Sequence, residues 1–139
     1  MAQAISALLD TDTLSEIMKG KHPGLTQQSR QYLMAHGHLT FSIMTRYEIL
    51  PGLKAKGGTA KLTAFEQFCQ VNQILPMNDS VIVCAAEIYA GLKQRGQLIS
   101  DADILIAATA LTHGLTLVTN NTAHYSRIAG LTVESWKSA

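Results

Sequence analysis

The stretch DADILIAATALTHGLTLVTNN, residues 101–121, predicts the fold class. Its first part, residues 101–113, is apolar almost all the way round a helix, so we expect a helix buried in the middle of the domain. The apolar run LTLV, residues 115–118, is bounded by glycine and polar residues, as expected of a strand covered on both faces. A buried helix leading into a buried strand is typical of α/β proteins.

The rest of the chain repeats this alternation of strands and helices. Apolar runs predict four further strands, at residues 5–9, 39–42, 73–75 and 131–133. The remaining segments predict helices at residues 13–19, 25–36, 43–54, 60–70 and 79–95. Because parallel neighbours need crossover connections, this order predicts an α/β fold with a mainly parallel sheet of about five strands flanked by α-helices.

The composition fits one globular domain that covers residues 1–139, since 47% of the residues are hydrophobic and 15% are charged. No apolar run reaches the ~18 residues of a membrane span, and the first ten residues lack the pattern of a signal peptide. We therefore expect a soluble, cytoplasmic protein with no membrane partner. Cys69 and Cys84 are too few and too far apart for a disulfide framework. The net charge of +1 argues against a broad basic surface that wraps duplex nucleic acid, and is compatible with a local patch.

Acidic residues lie where ligands of open α/β sheets bind, beyond the carboxyl ends of the strands. Asp10 directly follows the first strand, Glu48 lies on the helix after the second, and Asp103 opens the buried helix. Each segment also has a purely structural interpretation. Asp12 is a candidate cap for the first helix, Ser100 and Asp103 have the spacing of a capping box, and Glu48 is a candidate surface residue. Taken together, the three segments predict one acidic cleft.

Three carboxylates in one cleft repel one another, which raises at least one pKa or requires a divalent cation. Because Asp10, Glu48 and Asp103 offer only oxygen ligands, the expected cofactor is Mg²⁺ or Mn²⁺. The histidines have no ligand spacing to one another, so we expect surface or helix-end positions for them and no zinc site.

Two enzyme classes use such acids with a hard cation. The first is metal-dependent phosphodiester hydrolysis, in which carboxylates from separate segments hold the metal. The second is the phosphotransferase type with an aspartate nucleophile and the motif D-x-D-x-[TV]. Asp10 and Asp12 fit that motif, but Leu14 fails its last position.

Four segments, LLDTDTLSEI, FSIMTRYEIL, LISDADILIAATALTHGLTLVTNN and IAGLTVESW, resemble in order and spacing the motifs of PIN-domain ribonucleases of the VapC toxin type. The resemblance spans residues 8–136. It implies a parallel sheet flanked by helices, a homodimer, and an endoribonuclease that cuts RNA, commonly tRNA or ribosomal RNA, with Mg²⁺ or Mn²⁺. It also implies a cognate VapB-like antitoxin that keeps the enzyme inactive.

The resemblance assigns roles to residues at matching positions. It places metal-binding acids at Asp10 and Asp103, with Glu48 as a third ligand or as the group that orients the attacking water. A fourth acid of the wider family falls on Asn121, whose amide carries no charge. The remaining substrate-binding candidates are two residues that line the cleft and three basic residues that dock phosphate: Thr119, Asn120, Arg46, Lys54 and Lys56.

Two departures from the family pattern leave an alternative open, a weakened or inactive PIN module that acts by dimerisation and antitoxin binding. One is Asn121. The other is Pro51, where relatives often carry a long basic residue. Because proline lacks an N–H and clashes with the carbonyl of Tyr47, we expect Pro51 to kink its helix, displace Glu48 or a neighbouring RNA contact, and lower activity.

Overall fold

The computed structural model describes residues 6–137, and its centre is a five-stranded sheet. The strands are β1 (Ala7–Leu9), β2 (Thr40–Ser42), β3 (Gln73–Leu75), β4 (Thr116–Val118) and β5 (Val133–Glu134). Their order across the sheet is β3-β2-β1-β4-β5, and every neighbouring pair is parallel. The prediction of a mainly parallel sheet of about five strands is confirmed. Ile5, predicted to begin the first strand, lies outside the described residues.

Helices connect the strands and cover both faces of the sheet. They are α1 (Thr11–Lys19), α2 (Pro23–His36), α3 (Ile43–Ala55), α4 (Thr59–Val71), α5 (Asp79–Gln94), α6 (Asp101–Thr112) and α7 (Thr122–Tyr125). The sequence pattern does not predict α7, because a helix of four residues is too short to show an apolar period. None of the helices within residues 6–137 has both the length and the apolar content needed to cross a membrane.

The core lies in two layers, one on each face of the sheet, because alternate strand residues point to opposite faces. Leu8 and Leu117 pack against α5 and α6 on one face. Leu9 and Phe41 pack against α1 and α2 on the other, together with Trp136 near the end of the described chain. Residues 106–110 of α6 are fully buried, which confirms the prediction of a helix in the middle of the domain.

The connections from β1 define where a ligand site is expected. β1 is the central strand, with β2 on one side and β4 on the other. The chain therefore leaves β1 toward one half of the sheet and returns by β4 to the other half. In open α/β sheets, ligands bind at the carboxyl ends of the strands where the strand order reverses in this way. Asp10 and Thr119 are the residues that follow β1 and β4.

Candidate metal-binding nuclease site

Asp10 is a buried carboxylate that is held by the ends of two strands and the start of one helix. Its backbone N–H donates to the carbonyl of Val118 at 3.0 Å. Its Oδ1 accepts from the backbone N–H of Thr13 at 2.9 Å, and its Oδ2 accepts from the Thr119 hydroxyl at 2.5 Å. Burial raises the pKa of Asp10, and these hydrogen bonds oppose the rise by favouring the charged form.

Asp10 is also the N-cap of α1, which corrects the expectation that Asp12 caps this helix. The helix begins at Thr11 because β1 ends at Leu9 and leaves a single residue between strand and helix. That residue has extended backbone angles, and its side chain reaches the N–H three positions on, as an N-cap does. Asp12 lies exposed in the first turn, where a negative charge favours the positive end of the helix dipole.

The β4–α7 loop supplies Thr119, which is fully buried, and the two asparagines after it. The Thr119 hydroxyl accepts from the backbone N–H of Asn121 at 3.0 Å while it donates to Asp10. Asn120 turns toward α1, where its Nδ2 donates to Glu16 at 3.3 Å. Asn121 is exposed, with its Nδ2 2.9 Å from Nδ1 of His124. The loop thus fixes Asp10 through Thr119 and presents Asn121 at the surface of the cleft.

Glu48 reaches back from α3 to the first residue of α1. The Thr11 hydroxyl donates to Oε1 of Glu48 at 2.6 Å and lies 2.9 Å from the hydroxyl of Thr45. Glu48 is exposed, as the surface interpretation expected, but its carboxylate is tied to the residue next to Asp10. The helix α3 continues through Pro51 to Ala55, so this proline does not end it.

Asp103 lies in the first turn of α6 and is half-buried. Its backbone N–H donates to the hydroxyl of the N-cap Ser100 at 3.2 Å, as the capping interpretation predicted. Its carboxylate faces α7, where Oδ2 lies 3.5 Å from Nδ1 of His124. The backbone of Asp103 therefore takes part in the cap of α6, while its side chain faces α7.

Tyr125 of α7 is buried, and the charges of the cleft acids act on its hydroxyl. Burial is the largest cause of the raised pKa of Tyr125, and the negative charges of Asp103, Asp10 and Glu48 raise it further. Across residues 6–137, however, no three His, Cys, Asp or Glu side chains are close enough to one another to hold a metal ion. The cleft thus collects the predicted acids without assembling a complete set of protein ligands.

The predicted phosphate-docking residues differ in whether their charge is already paired within the protein. Arg46 forms an ion pair with Glu66, and its Nη1 also lies 3.3 Å from the Cys69 sulfur. The hydrogen bond from Arg46 lowers the pKa of Glu66, which keeps that partner charged. Lys54 and Lys56 are exposed at the end of α3. The charge of Arg46 is therefore largely neutralised within the protein, whereas the two lysines face solvent.

Sequence reasoning missed three residues of the cleft, which are Thr11, His124 and Tyr125. His124 does lie in the last turn of a helix, as expected, but it also contacts Asn121 and approaches Asp103. Thr11 could have been found from the sequence because it lies between Asp10 and Asp12. The signal for the other two is that His124 and Tyr125 follow the VTNN segment closely.

The whole chain resembles known proteins. The model of the PIN domain family matches residues 7–131. Ribonuclease VapC1 of Methanocaldococcus jannaschii is 30% identical over 121 residues, which cover 87% of this chain and 79% of that protein. The tRNA(fMet)-specific endonuclease VapC of Shigella flexneri is 27% identical over 130 residues, or 93% of this chain and 96% of the relative.

Solved structures agree with these sequence matches. A DNA-bound VapBC complex from Salmonella typhimurium contains a chain that superposes with a TM-score of 0.82 at 26% identity, covering 96% of this chain and 99% of that one. In VapBC-1 from nontypeable Haemophilus influenzae the TM-score is 0.80 at 26% identity, over 94% of this chain and 97% of that one. With the parallel sheet and the acidic cleft at its carboxyl edge, these matches show that the chain belongs to the PIN domain family and is of its VapC type.

Proposed function

We propose that this protein is a metal-dependent endoribonuclease toxin that hydrolyses phosphodiester bonds in RNA. The observation that carries the proposal is the set of contacts that places the three acids at the carboxyl edge of β1 and β4. Thr119 bonds to Asp10, Thr11 bonds to Glu48, and His124 lies between Asn121 and Asp103. Relatives that span most of the chain support it, since they are named as ribonucleases and, in two cases, as endonucleases specific for tRNA(fMet). We propose tRNA or ribosomal RNA as the substrate class, cut in single-stranded or loop regions whose bases are accessible.

The donor chemistry of the cleft fits Mg²⁺ or Mn²⁺. The three acids offer only oxygen ligands, and their negative charges repel one another when they share a cleft. Burial raises the pKa of Asp10, and burial followed by the charges of the three acids raises the pKa of Tyr125. A hard cation relieves that repulsion, and Mg²⁺ commonly takes one or two carboxylates together with waters and substrate phosphates. Asp10 and Asp103 would hold the ion directly. When bound, the ion supplies an activated water and neutralises charge on the leaving oxygen.

The chain's own residues would position these groups. Thr119 and the backbone N–H of Thr13 hold the Asp10 carboxylate in one orientation and keep it charged. Thr11 holds Glu48 at the mouth of the cleft, where Glu48 would bind the ion or orient the attacking water. Asn121 supplies a neutral amide that can bind a metal-bound water, which favours one strongly held ion over two.

We also propose a VapB-like antitoxin as the partner, with a homodimer as the assembly and the cytoplasm as the location. The support for the antitoxin is that the structural neighbours are VapBC complexes, including those from Salmonella typhimurium and Rickettsia felis. The phosphotransferase alternative has weaker support, because Leu14 fails the last position of its motif and the relatives that span the chain are named as nucleases.

The test is RNA cleavage by the purified chain with Mn²⁺, compared with Asp10→Asn and with EDTA. We expect cleavage that both changes abolish. Sequencing of cellular RNA 5′ ends after brief induction, with Asp103→Ala as the control, would identify the target. An absence of any metal-dependent cleavage by the folded wild-type chain would favour the inactive module that Asn121 and Pro51 suggest.

A further inference from the structure

A basic groove lies beside α1 and the start of α2, outside the acidic cleft. It consists of two adjoining depressions of about 340 and 420 Å³ that share Lys21 and Pro23. The cations that line it are Lys19, Lys21, Arg30 and Lys137. We call this surface the α1–α2 groove. It is open to solvent, since all four cationic residues are exposed.

The groove concentrates positive charge on a chain that is nearly neutral. Its lining holds four Lys and Arg residues and one acid, Glu16, whereas the whole chain has a net charge of +1. The Nζ of Lys137 lies 2.8 Å from Glu16 and, by hydrogen bonding, lowers the pKa of that acid. The remaining cations, Lys19, Lys21 and Arg30, have no such partner among the ion pairs of residues 6–137. The surface therefore attracts a polyanion.

Two further features of the lining suit a phosphate chain. The helix α2 starts here at Pro23, so the positive end of its dipole faces the groove. Side chains of Thr26, Gln27 and Gln31 line the larger depression and can hydrogen-bond to phosphate and ribose oxygens. Lysine, arginine, threonine and glutamine are among the residue types that contact the phosphates and sugars of a nucleic acid.

The groove is connected to the acidic cleft. Glu16 accepts a hydrogen bond from Asn120, which lies between Thr119 and Asn121 in the loop that fixes Asp10. Lys19 lies nine positions after the cap at Asp10 along α1, which corresponds to about 13 Å at 1.5 Å per residue. At about 3.4 Å per nucleotide of a stacked strand, this distance equals roughly four nucleotides.

We propose that the α1–α2 groove binds the sugar–phosphate backbone of the RNA substrate about four nucleotides from the cleaved bond. The inference rests on the proposed nuclease function and adds a second contact region to it. An acidic segment of a protein partner would satisfy the same charges. The RNA strand is favoured because the hydrogen bond from Asn120 of the cleft loop to Glu16 of the groove places the two regions side by side, and a strand that is cut in the cleft must leave it along the neighbouring surface.

The direct test measures binding of a labelled, unstructured 20-nucleotide RNA in the non-cleaving Asp103→Ala background. We expect Lys19→Gln/Lys21→Gln to weaken binding about tenfold and to reduce the salt dependence by about 0.7 for each lost phosphate contact. The matched control is Lys61→Gln/Lys93→Gln, which removes the same charge from exposed positions outside the groove. Arg30→Gln is the second variant, and coinciding urea unfolding curves would show that each variant is folded. Equal weakening by the control pair, or no weakening by either groove variant, would overturn the proposal.

Kinetics separate this inference from the proposed function. With Asp103 intact, Lys19→Gln/Lys21→Gln should raise KM for the 20-mer about tenfold, keep kcat within about twofold, and leave cleavage of a tetranucleotide unchanged, because that substrate is too short to span both regions.

Cleavage of the 20-mer that is unaffected by the groove variants would overturn the proposed groove and leave the proposed nuclease function standing. Groove-dependent RNA binding without any cleavage keeps the groove and overturns the nuclease. A 20-residue poly-glutamate peptide that binds the groove more tightly than the RNA would assign it to a protein partner instead.

Discussion

The hydroxyl of Thr119 donates a 2.5 Å hydrogen bond to Oδ2 of Asp10, which joins two residues 109 positions apart in the sequence. Thr119 is fully buried, and Asp10 is 6% exposed. The bond links the ends of the two central strands and favours the charged form of a carboxylate whose pKa burial raises. Stability and chemistry therefore depend on the same pair.

Replacing Thr119 by valine should destabilise the fold. The change keeps the shape of the side chain but removes the donor to Asp10 and the acceptor for the N–H of Asn121. We expect a loss of about 1–3 kcal/mol in the free energy of unfolding, because buried polar groups lose their partners. Urea unfolding provides the measurement. The matched control is Thr109→Val in α6, where the buried hydroxyl donates only to the carbonyl of Leu105. A loss from Thr119→Val no larger than that of the control would contradict the prediction.

Asp10→Asn should stabilise the metal-free protein at neutral pH. Asparagine is as good an N-cap as aspartate, and its amide can still pair with the Thr119 hydroxyl. The wild-type native state holds the Asp10 proton more tightly than the unfolded chain does. Its free energy of unfolding therefore falls as pH rises through the raised pKa, and the variant escapes this loss. The stability advantage of Asp10→Asn over the wild type should shrink below about pH 3.9, the ordinary aspartate pKa, because Asp10 is then protonated in the unfolded chain as well.

Thermal unfolding in EDTA at several pH values measures this difference. Added Mn²⁺ should reverse the order, because an ion that binds only the native wild type stabilises it and not the variant. A wild type that is more stable than Asp10→Asn in EDTA at pH 7 would contradict this prediction. It would show that the hydrogen bonds stabilise the charged Asp10 carboxylate by more than burial destabilises it.

Thr11→Val should impair catalysis with little effect on the fold. The change removes the hydrogen bond that holds Glu48 and the contact with Thr45, while the residue remains only partly buried. We expect kcat for RNA cleavage to fall about tenfold with KM unchanged, since a positioning contact is lost and a binding contact is not. Steady-state kinetics on one RNA, with Glu48→Gln as the more severe reference, provides the test. A kcat within twofold of wild type would show that Glu48 is positioned by other contacts.

Pro51→Ala should stabilise the protein. Pro51 lies exposed inside α3, where it cannot donate to the carbonyl of Tyr47. Restoring that N–H and removing the ring should gain about 1–3 kcal/mol in urea unfolding. If the proline also displaces Glu48, Pro51→Arg should raise RNA cleavage. Unchanged cleavage by a more stable Pro51→Arg protein would remove the idea that Pro51 lowers activity.

Asn121→Asp should strengthen metal binding. It adds a carboxylate beside Thr119 and His124 at the surface of the cleft. We expect Mn²⁺ affinity to rise about tenfold, which isothermal titration of the metal alone measures without an RNA substrate. The matched control is Gln94→Glu, which adds the same charge at an exposed position at the end of α5, outside the cleft. An equal gain in the control would indicate a general charge effect.

The sequence predicts much of this fold because its signals are local and periodic. The helix α6 is apolar all round and is fully buried over residues 106–110, and each predicted strand lies within two residues of an observed one. The cap of α1 is harder to predict, since Asp10 and Asp12 are both good N-cap types and only the exact end of β1 decides between them.

The contacts within the site were less accessible to sequence reasoning, because they join distant segments. Nothing in the order of residues says that Thr119 donates to Asp10 or that His124 approaches Asp103. Likewise, Arg46 is a reasonable phosphate ligand by type, and only the three-dimensional structure shows that Glu66 engages it. Residue chemistry and spacing identified the acids, whereas the groups that hold them depend on tertiary packing.

The pairing of β1 with β4 has a consequence for synthesis of this protein on the ribosome. Asp10 is made early, but its partner strand and Thr119 are made only after more than a hundred further residues. A growing chain that lacks them has neither the second central strand nor the group that orients Asp10. The acidic cleft therefore takes its shape only once β4 and Thr119 have emerged, long after the first of its acids.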